Sequence, residues 1–141
     1  MKIKIINAAA NAIIKFSSKT FKKIILDDSP KGSIFNTAVI AGTLAAKKTH
    51  ELIPLCHSIP INSIEVNFET DEKNNSLKIF SKIKAVYKTG VEMEALNSVS
   101  IGLLCVLDMI KSVEKDEFGQ YPKTEIHGIR VLKKKKANGH V

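Results

Sequence analysis

Three short stretches carry polar groups where the apolar pattern around them does not call for any. In Leu52-Ile53-Pro54-Leu55-Cys56-His57-Ser58-Ile59-Pro60, a thiol and an imidazole lie side by side between two prolines. Proline fixes its own φ and restricts the residue before it, so the pair is held on a stiff backbone. The structural alternative is a buried Cys beside a hydrogen-bonded His. Metal ligation is not expected, because adjacent residues do not easily fill two corners of one tetrahedron and no paired ligand spacing is present. In Thr89-Gly90-Val91-Glu92-Met93-Glu94-Ala95, two carboxylates enter the first turn of an otherwise apolar helix. The helix dipole favours acids there, which by itself suffices as an explanation.

The third stretch is Asp108-Met109-Ile110-Lys111, where the carboxylate and the ammonium are three residues apart and share a helix face. Glu94 and Asp108 are separated by nearly four turns, which puts them within about 40° of each other on the helical wheel. Between them on that side stand Ser98, Gly102 and Cys105, all small. Such a stripe either lines a cleft or seats another helix with an ion pair at its edge. Lys31-Gly32 ahead of one helix and Lys47-Lys48 at its far end add cations suited to an anion. Neither GxxxxGK[ST] nor GxGxxG is present.

These groups need elements to hold them. Alternation over 8–17 predicts a strand with one packed face. Ser18 is expected to cap a short helix over Thr20–Leu26, and Ser33 a longer one ending near Lys48. A short turn from Thr49 or His50 ends at Pro54. Ile61, Ile64, Val66 and Phe68 form one strand, and Leu77, Ile79, Ile83, Ala85 and Tyr87 its return, joined by the polar turn 71–75. Val91–Val113 reads as a long, mostly buried helix, 116–123 as loop, and Ile126, Ile129 and Val131 as a final strand. Helices on one face of an antiparallel sheet make an α+β layered fold.

With 141 residues, 44% hydrophobic and 26% charged, the composition is that of a globular domain and not of a disordered chain. A single domain over 1–141 is expected. The apolar run Ser98–Ile110 is interrupted by Asp108 and is too short to span a bilayer, so no membrane partner is expected. Two cysteines without a CxxC pair suit a reducing cytoplasm, and Met1–Ile6 lacks the apolar run of a signal peptide. The net charge of +8 points to anionic partners. With six Phe, two Tyr and no Trp, the chain is poor in the stacking platforms that single-stranded nucleic acid needs. Lys133–Lys136 reads as a solvated basic tail over 133–141.

Taken together, Lys31-Gly32, Ala41-Gly42 with Ala45-Ala46-Lys47-Lys48, Leu52-Ile53-Pro54-Leu55-Cys56-His57, Lys88-Thr89-Gly90-Val91-Glu92-Met93-Glu94-Ala95-Leu96 and Asp108-Met109-Ile110-Lys111 resemble the MoaC family of molybdenum cofactor biosynthesis, in its archaeal form. The resemblance runs from about Ala8 to Lys134. It implies a ferredoxin-like fold and a homohexamer, a trimer of dimers with active sites between subunits. It also implies a lyase that converts (8S)-3′,8-cyclo-7,8-dihydroguanosine 5′-triphosphate to cyclic pyranopterin monophosphate and pyrophosphate. Position by position, Asp108, Lys111 and Lys31 match catalytic residues, and Leu55, Cys56, His57, Met93 and Glu94 match substrate-binding ones. Lys47, Lys48 and Lys134 are expected to supply charge for the triphosphate. No cofactor is implied, apart from magnesium carried on the substrate's phosphates.

The chain departs from the family pattern at Ile6, where an Arg is usual, at Ser58 in place of Pro and at Asn97 in place of Thr. The Ile6 departure leaves open a catalytically impaired scaffold as one alternative. A basic RRM-like nucleic-acid-binding module is the other, but neither the 61–70 nor the 76–88 strand holds the aromatic string that such a module needs.

Overall fold

The computed structural model describes residues 3–138. Its elements in chain order are β1 (Lys4–Lys15), α1 (Ser18–Ile25), α2 (Ile34–Lys47), α3 (Thr49–Leu52), β2 (Ile61–Asp71), β3 (Ser76–Tyr87), α4 (Glu92–Glu114) and β4 (Glu125–Asn138). A 3₁₀ turn over Glu72–Asn74 joins β2 to β3, closed by Asn75 in the left-handed region at φ 49°. The sheet order is β2-β3-β1-β4, with every neighbouring pair antiparallel. Each helical crossover therefore skips one strand, giving the split βαβ arrangement of a ferredoxin-like fold.

Alternation along the central strands divides the sheet into a covered and an open face. Ile6, Ala8, Ala10, Ala12 and Ile14 of β1, with Leu77, Ile79, Ile83 and Ala85 of β3, are buried against the helices. From α4 and its N-cap come Val91, Ala95, Val99, Leu103, Val106 and Ile110, all fully buried. A buried side chain of this kind contributes roughly 1.5–3 kcal/mol, so α4 anchors the layer. By length and composition α4 could also cross a membrane, but half of it is buried inside the fold, and its apolarity is that of a core helix. Of the small stripe on α4, Ser98 seats α2 and Gly102 packs on β3. A Cβ added at Gly42 of α2 would come within 3.1 Å of the Ser98 carbonyl, and Gly102 lies against Ile79.

Several boundaries differ from expectation. β1 starts at Lys4 because the Lys-Ile alternation continues the ladder, with Lys4 opposite Tyr87. Ser17, not Ser18, is the α1 cap, accepting from the Thr20 N–H. The largest difference is at the C-terminal end. Lys133–Lys136 is not a solvated tail but part of β4, paired with β1 from Ala9↔Lys133 to Lys4↔Asn138. Residues 139–141 of the expected tail lie outside the described residues. The sheet pattern accounts for the miss, because Ala8 and Ile6 each need a β4 partner on the covered face and Lys134 and Lys136 supply it.

Candidate functional site

The residues singled out by type fall into two groups at opposite ends of α4. The first is built where the α1–α2 turn meets the C-terminal half of α4. Asp27 sits at φ 52° and accepts hydrogen bonds from the Ser33 hydroxyl at 2.7 Å and the Ile34 N–H at 2.6 Å, which fixes the start of α2. Gly32, at φ +106°, lets the chain turn there. The Ser29 hydroxyl donates to the Met109 carbonyl at 2.9 Å and accepts from the Lys31 N–H at 3.1 Å, pinning the turn onto α4. Lys31 Nζ then reaches Asp108, at 3.2 Å from both its carbonyl and Oδ2.

Lys111 Nζ stands 3.0 Å from the other oxygen, Oδ1, so each oxygen of Asp108 faces a different ammonium. The three side chains are 51–58% exposed, so the triad is open to a ligand. Hydrogen bonds from Lys111 and then Lys31 hold the Asp108 carboxyl below the usual carboxylate range, and Asp108 in turn raises the Lys111 amine. Because a carboxylate lies between the cations, Lys111 is not the lowered amine that a crowd of lysines alone would give. Half-buried Cys105 lies one turn back on α4; burial raises its thiol first and Asp108 second.

The second group surrounds the first turn of α4. Glu94 is 3% exposed, and its Oε1 is buried without a hydrogen-bond partner among the described residues. Its Oε2 accepts from Cys56 Sγ at 3.9 Å. Burial pushes the Glu94 carboxyl up, with the Glu92 charge adding to it, against opposing effects from its own backbone N–H, Cys56 and His50. Burial also raises the Cys56 thiol, and Glu94 raises it further. His57 and Leu55 are exposed, Leu55 at 94%, and Met93 is partly so.

Lys134 reaches this end from β4, its Nζ 2.5 Å from Glu92 Oε1. Burial raises the Glu92 carboxyl, but Lys134 outweighs it and the net shift is downward. Lys47 and Lys48 are exposed at the end of α2. The Asn97 amide ties that end to α4, donating to the Ala45 carbonyl at 3.0 Å and Thr49 Oγ1 at 3.2 Å.

One chain thus joins Lys31, Asp108 and Lys111, and separately places Cys56, Glu94 and Lys134 around the start of α4. It does not bring the two groups together, since Glu94 and Asp108 are about 21 Å apart along the axis. The positioning role of Ser29 is not legible in the sequence beyond the turn signature Asp27-Asp28-Ser29-Pro30, and Asn97 stands out there only as a departure from the family pattern, not as the group that ties α2 to α4. Among the described residues, no group of three or more His, Cys, Asp or Glu side chains is placed to hold a metal.

The family model described as the MoaC family matches residues 2–137. The chain belongs to the MoaC family. Its similarity to curated archaeal members extends over most of both chains. A protein of Sulfolobus acidocaldarius described as "Probable cyclic pyranopterin monophosphate synthase" is 52% identical over 132 residues, 94% of this chain and 91% of the relative. Proteins with the same description from Saccharolobus solfataricus and Thermococcus onnurineus are 47% and 48% identical, over 90% and 94% of this chain and 84% and 83% of their own lengths. Both halves of the site lie inside the span matched to the MoaC family.

Proposed function

We infer that this chain is a cyclic pyranopterin monophosphate synthase of molybdenum cofactor biosynthesis, a lyase acting on (8S)-3′,8-cyclo-7,8-dihydroguanosine 5′-triphosphate. The observation that carries this is membership of the MoaC family over residues 2–137, with relatives near 50% identity described as that enzyme. The reaction opens and closes rings around a guanine-derived base and moves several protons with no redox step. An internal hydroxyl then attacks the α-phosphate, the bond to the β-phosphate breaks, and pyrophosphate leaves.

The triad suits the proton moves. Asp108, held ionised between Lys31 and Lys111, is the base that takes a proton from one atom of the substrate, and the two ammoniums are the acids that deliver protons to other atoms of it. Glu94, whose carboxyl burial favours keeping its proton, can donate a hydrogen bond to the bound base beside Cys56, His57, Leu55 and Met93. Lys47, Lys48 and Lys134 neutralise the triphosphate, where displacement at phosphorus gains mainly from positioning and positive charge. Magnesium enters only on the substrate's phosphates, and the protein acts in the cytoplasm.

The separation of about 21 Å along α4 supports a site completed by a second copy, whose base-binding end faces the triad of the first. A closed homohexamer, a trimer of dimers, meets that requirement. Exposed Ile40, Leu44 and Leu104 provide apolar surface for such contacts. The test is to incubate the purified chain with the cyclic triphosphate and follow pterin fluorescence after oxidation together with pyrophosphate release. Equal amounts of both products are expected. Turnover of neither, by a chain that light scattering shows to be assembled, would overturn the reading.

A further inference from the structure

The face of the sheet that carries no helix holds a feature the reaction does not use. Because β4 pairs residue for residue with the start of β1, its lysines alternate between faces. Lys134 and Lys136 lie opposite Ala8 and Ile6 on the covered side, and Lys133 and Lys135 opposite Ala9 and Asn7 on the open side. From the other flank β3 places Lys82 opposite Ala9 and Lys84 opposite Asn7. Small side chains in the middle strand, flanked by long ones on either side, leave a depression. Its volume is about 220 Å³, and Asn7, Ala8, Ala9, Lys82, Lys133 and Lys135 line it.

Among the described residues, none of Lys82, Lys84, Lys133 and Lys135 makes an ion pair. Lys135 does most to lower the Lys133 amine, with desolvation and then Lys82 adding to the effect. An unneutralised group of cations around a concavity concentrates anions, and an anion of several charges relieves all of their repulsions at once.

We propose that this depression binds a multivalent phosphate anion, a diphosphate or triphosphate chain, at a site separate from the two groups on α4. The size fits, because about 220 Å³ lies below the roughly 300–1,000 Å³ of pockets that enclose a larger organic ligand. The charge is local and does not form a track. Glu65 stands beside Lys82 in the ladder, and Glu69 and Glu125 lie further along the outer strands, so a nucleic-acid backbone would meet carboxylates within a few residues. Phe80, the aromatic that shares this face, has the Lys78 ammonium 5.5 Å from its ring centroid and offers no free platform for a base.

The test is calorimetric titration of inorganic tripolyphosphate, without magnesium, into the full chain at low and moderate salt. The candidate active site also takes triphosphate, so two variants are compared: Lys82→Gln/Lys133→Gln/Lys135→Gln and Lys31→Gln/Lys134→Gln. The exposed lysines of the first can be changed without touching the core. One component of the wild-type isotherm should weaken by about tenfold or more in the first variant, as expected for the loss of several charge-assisted hydrogen bonds. That component should persist in the second variant, weaken with salt, and be reproduced by a nucleoside triphosphate with equal affinity if the phosphate chain alone is recognised. An isotherm unchanged in the triple variant overturns the proposal, as does loss of that component in the Lys31/Lys134 variant. Two further results would also overturn it. A change of assembly mass in the triple variant would make this face a contact between copies, and tighter binding of a single-stranded oligonucleotide than of tripolyphosphate would make it a nucleic-acid surface.

Discussion

Asp108→Asn separates chemistry from stability more sharply than any other single change. The substitution keeps the size of the side chain and removes the charge that Lys111 meets at 3.0 Å and Lys31 at 3.2 Å. All three groups are more than half exposed, and ion pairs of that exposure add little to stability. The thermal midpoint should therefore move by no more than about 3 °C. Turnover should fall at least about 100-fold, the usual scale for one acid–base group. The acid limb of the kcat/KM profile follows the direction of the Asp108 shift. The group works as a carboxylate and its pKa is depressed, so activity should hold down to and below the ordinary carboxylate value of about 3.9, as far as the fold survives. Asp108→Glu keeps the charge but carries it one methylene further out, past both ammoniums, and should recover only part of the loss. The assay is product formation by the assembled enzyme beside a melting curve. Near-normal turnover of Asp108→Asn would remove the triad from the mechanism, and a large fall in the midpoint would show that the pairs are structural after all.

Three other outcomes follow from the same structure. Glu114 is buried and accepts from the Ser17 N–H at 3.0 Å, Ser17 Oγ at 2.6 Å and Thr124 Oγ1 at 2.7 Å; burial raises its carboxyl, but these donors outweigh it and hold it low. Its contribution is therefore present above the unfolded pKa and lost as pH falls through the folded one, so Glu114→Gln should cost about 2–3 kcal/mol in urea unfolding near neutral pH and less in acid. Leu103→Ala, in the middle of α4 at 0% exposure, should cost about 2–5 kcal/mol by the same measurement. Lys134→Gln should raise KM several-fold with a shallower salt dependence, and an unaltered KM would take Lys134 out of substrate binding.

The substitution at Lys134 replaces a cruder experiment that the sequence invites. Deleting everything after Leu132 looks like trimming a tail, yet it would strip β1 of its partners from Ala9 to Lys4. Four like charges in a row look solvated because composition carries no register; only the pairing with β1 shows that the run is edge strand with two charged faces. Other parts were legible. The 3.6-residue apolar period of α4, the Ser33 cap and the polar turn at 71–75 each leave a local signature, and their elements formed within a residue or two of expectation. The Lys31–Asp108 contact was not legible by distance, because it spans 77 positions and depends on Ser29 and Gly32 to aim the turn. The length of chain between Glu94 and Asp108 fixed the separation of the two groups in advance, but closeness on a helical wheel hides distance along the axis.

Four identical lysines cannot tell the β1–β4 ladder where to sit, since a shift by two positions presents the same side chains to the same faces. The register must be fixed upstream, where Asn11 Nδ2 donates to the Gly128 carbonyl at 2.8 Å, Gly128 adopts φ +63° and the pairing shifts on either side. A single residue inserted between Gly128 and Lys133 would rotate the whole run by half a turn. Lys134 and Lys136 would leave Glu92 for the open face, and their neighbours would take the places beside it. Sequences that differ by one insertion there could then carry the same number of charges and deliver them to opposite sides of the sheet, so the length of that segment, more than its composition, decides which anion the strand serves.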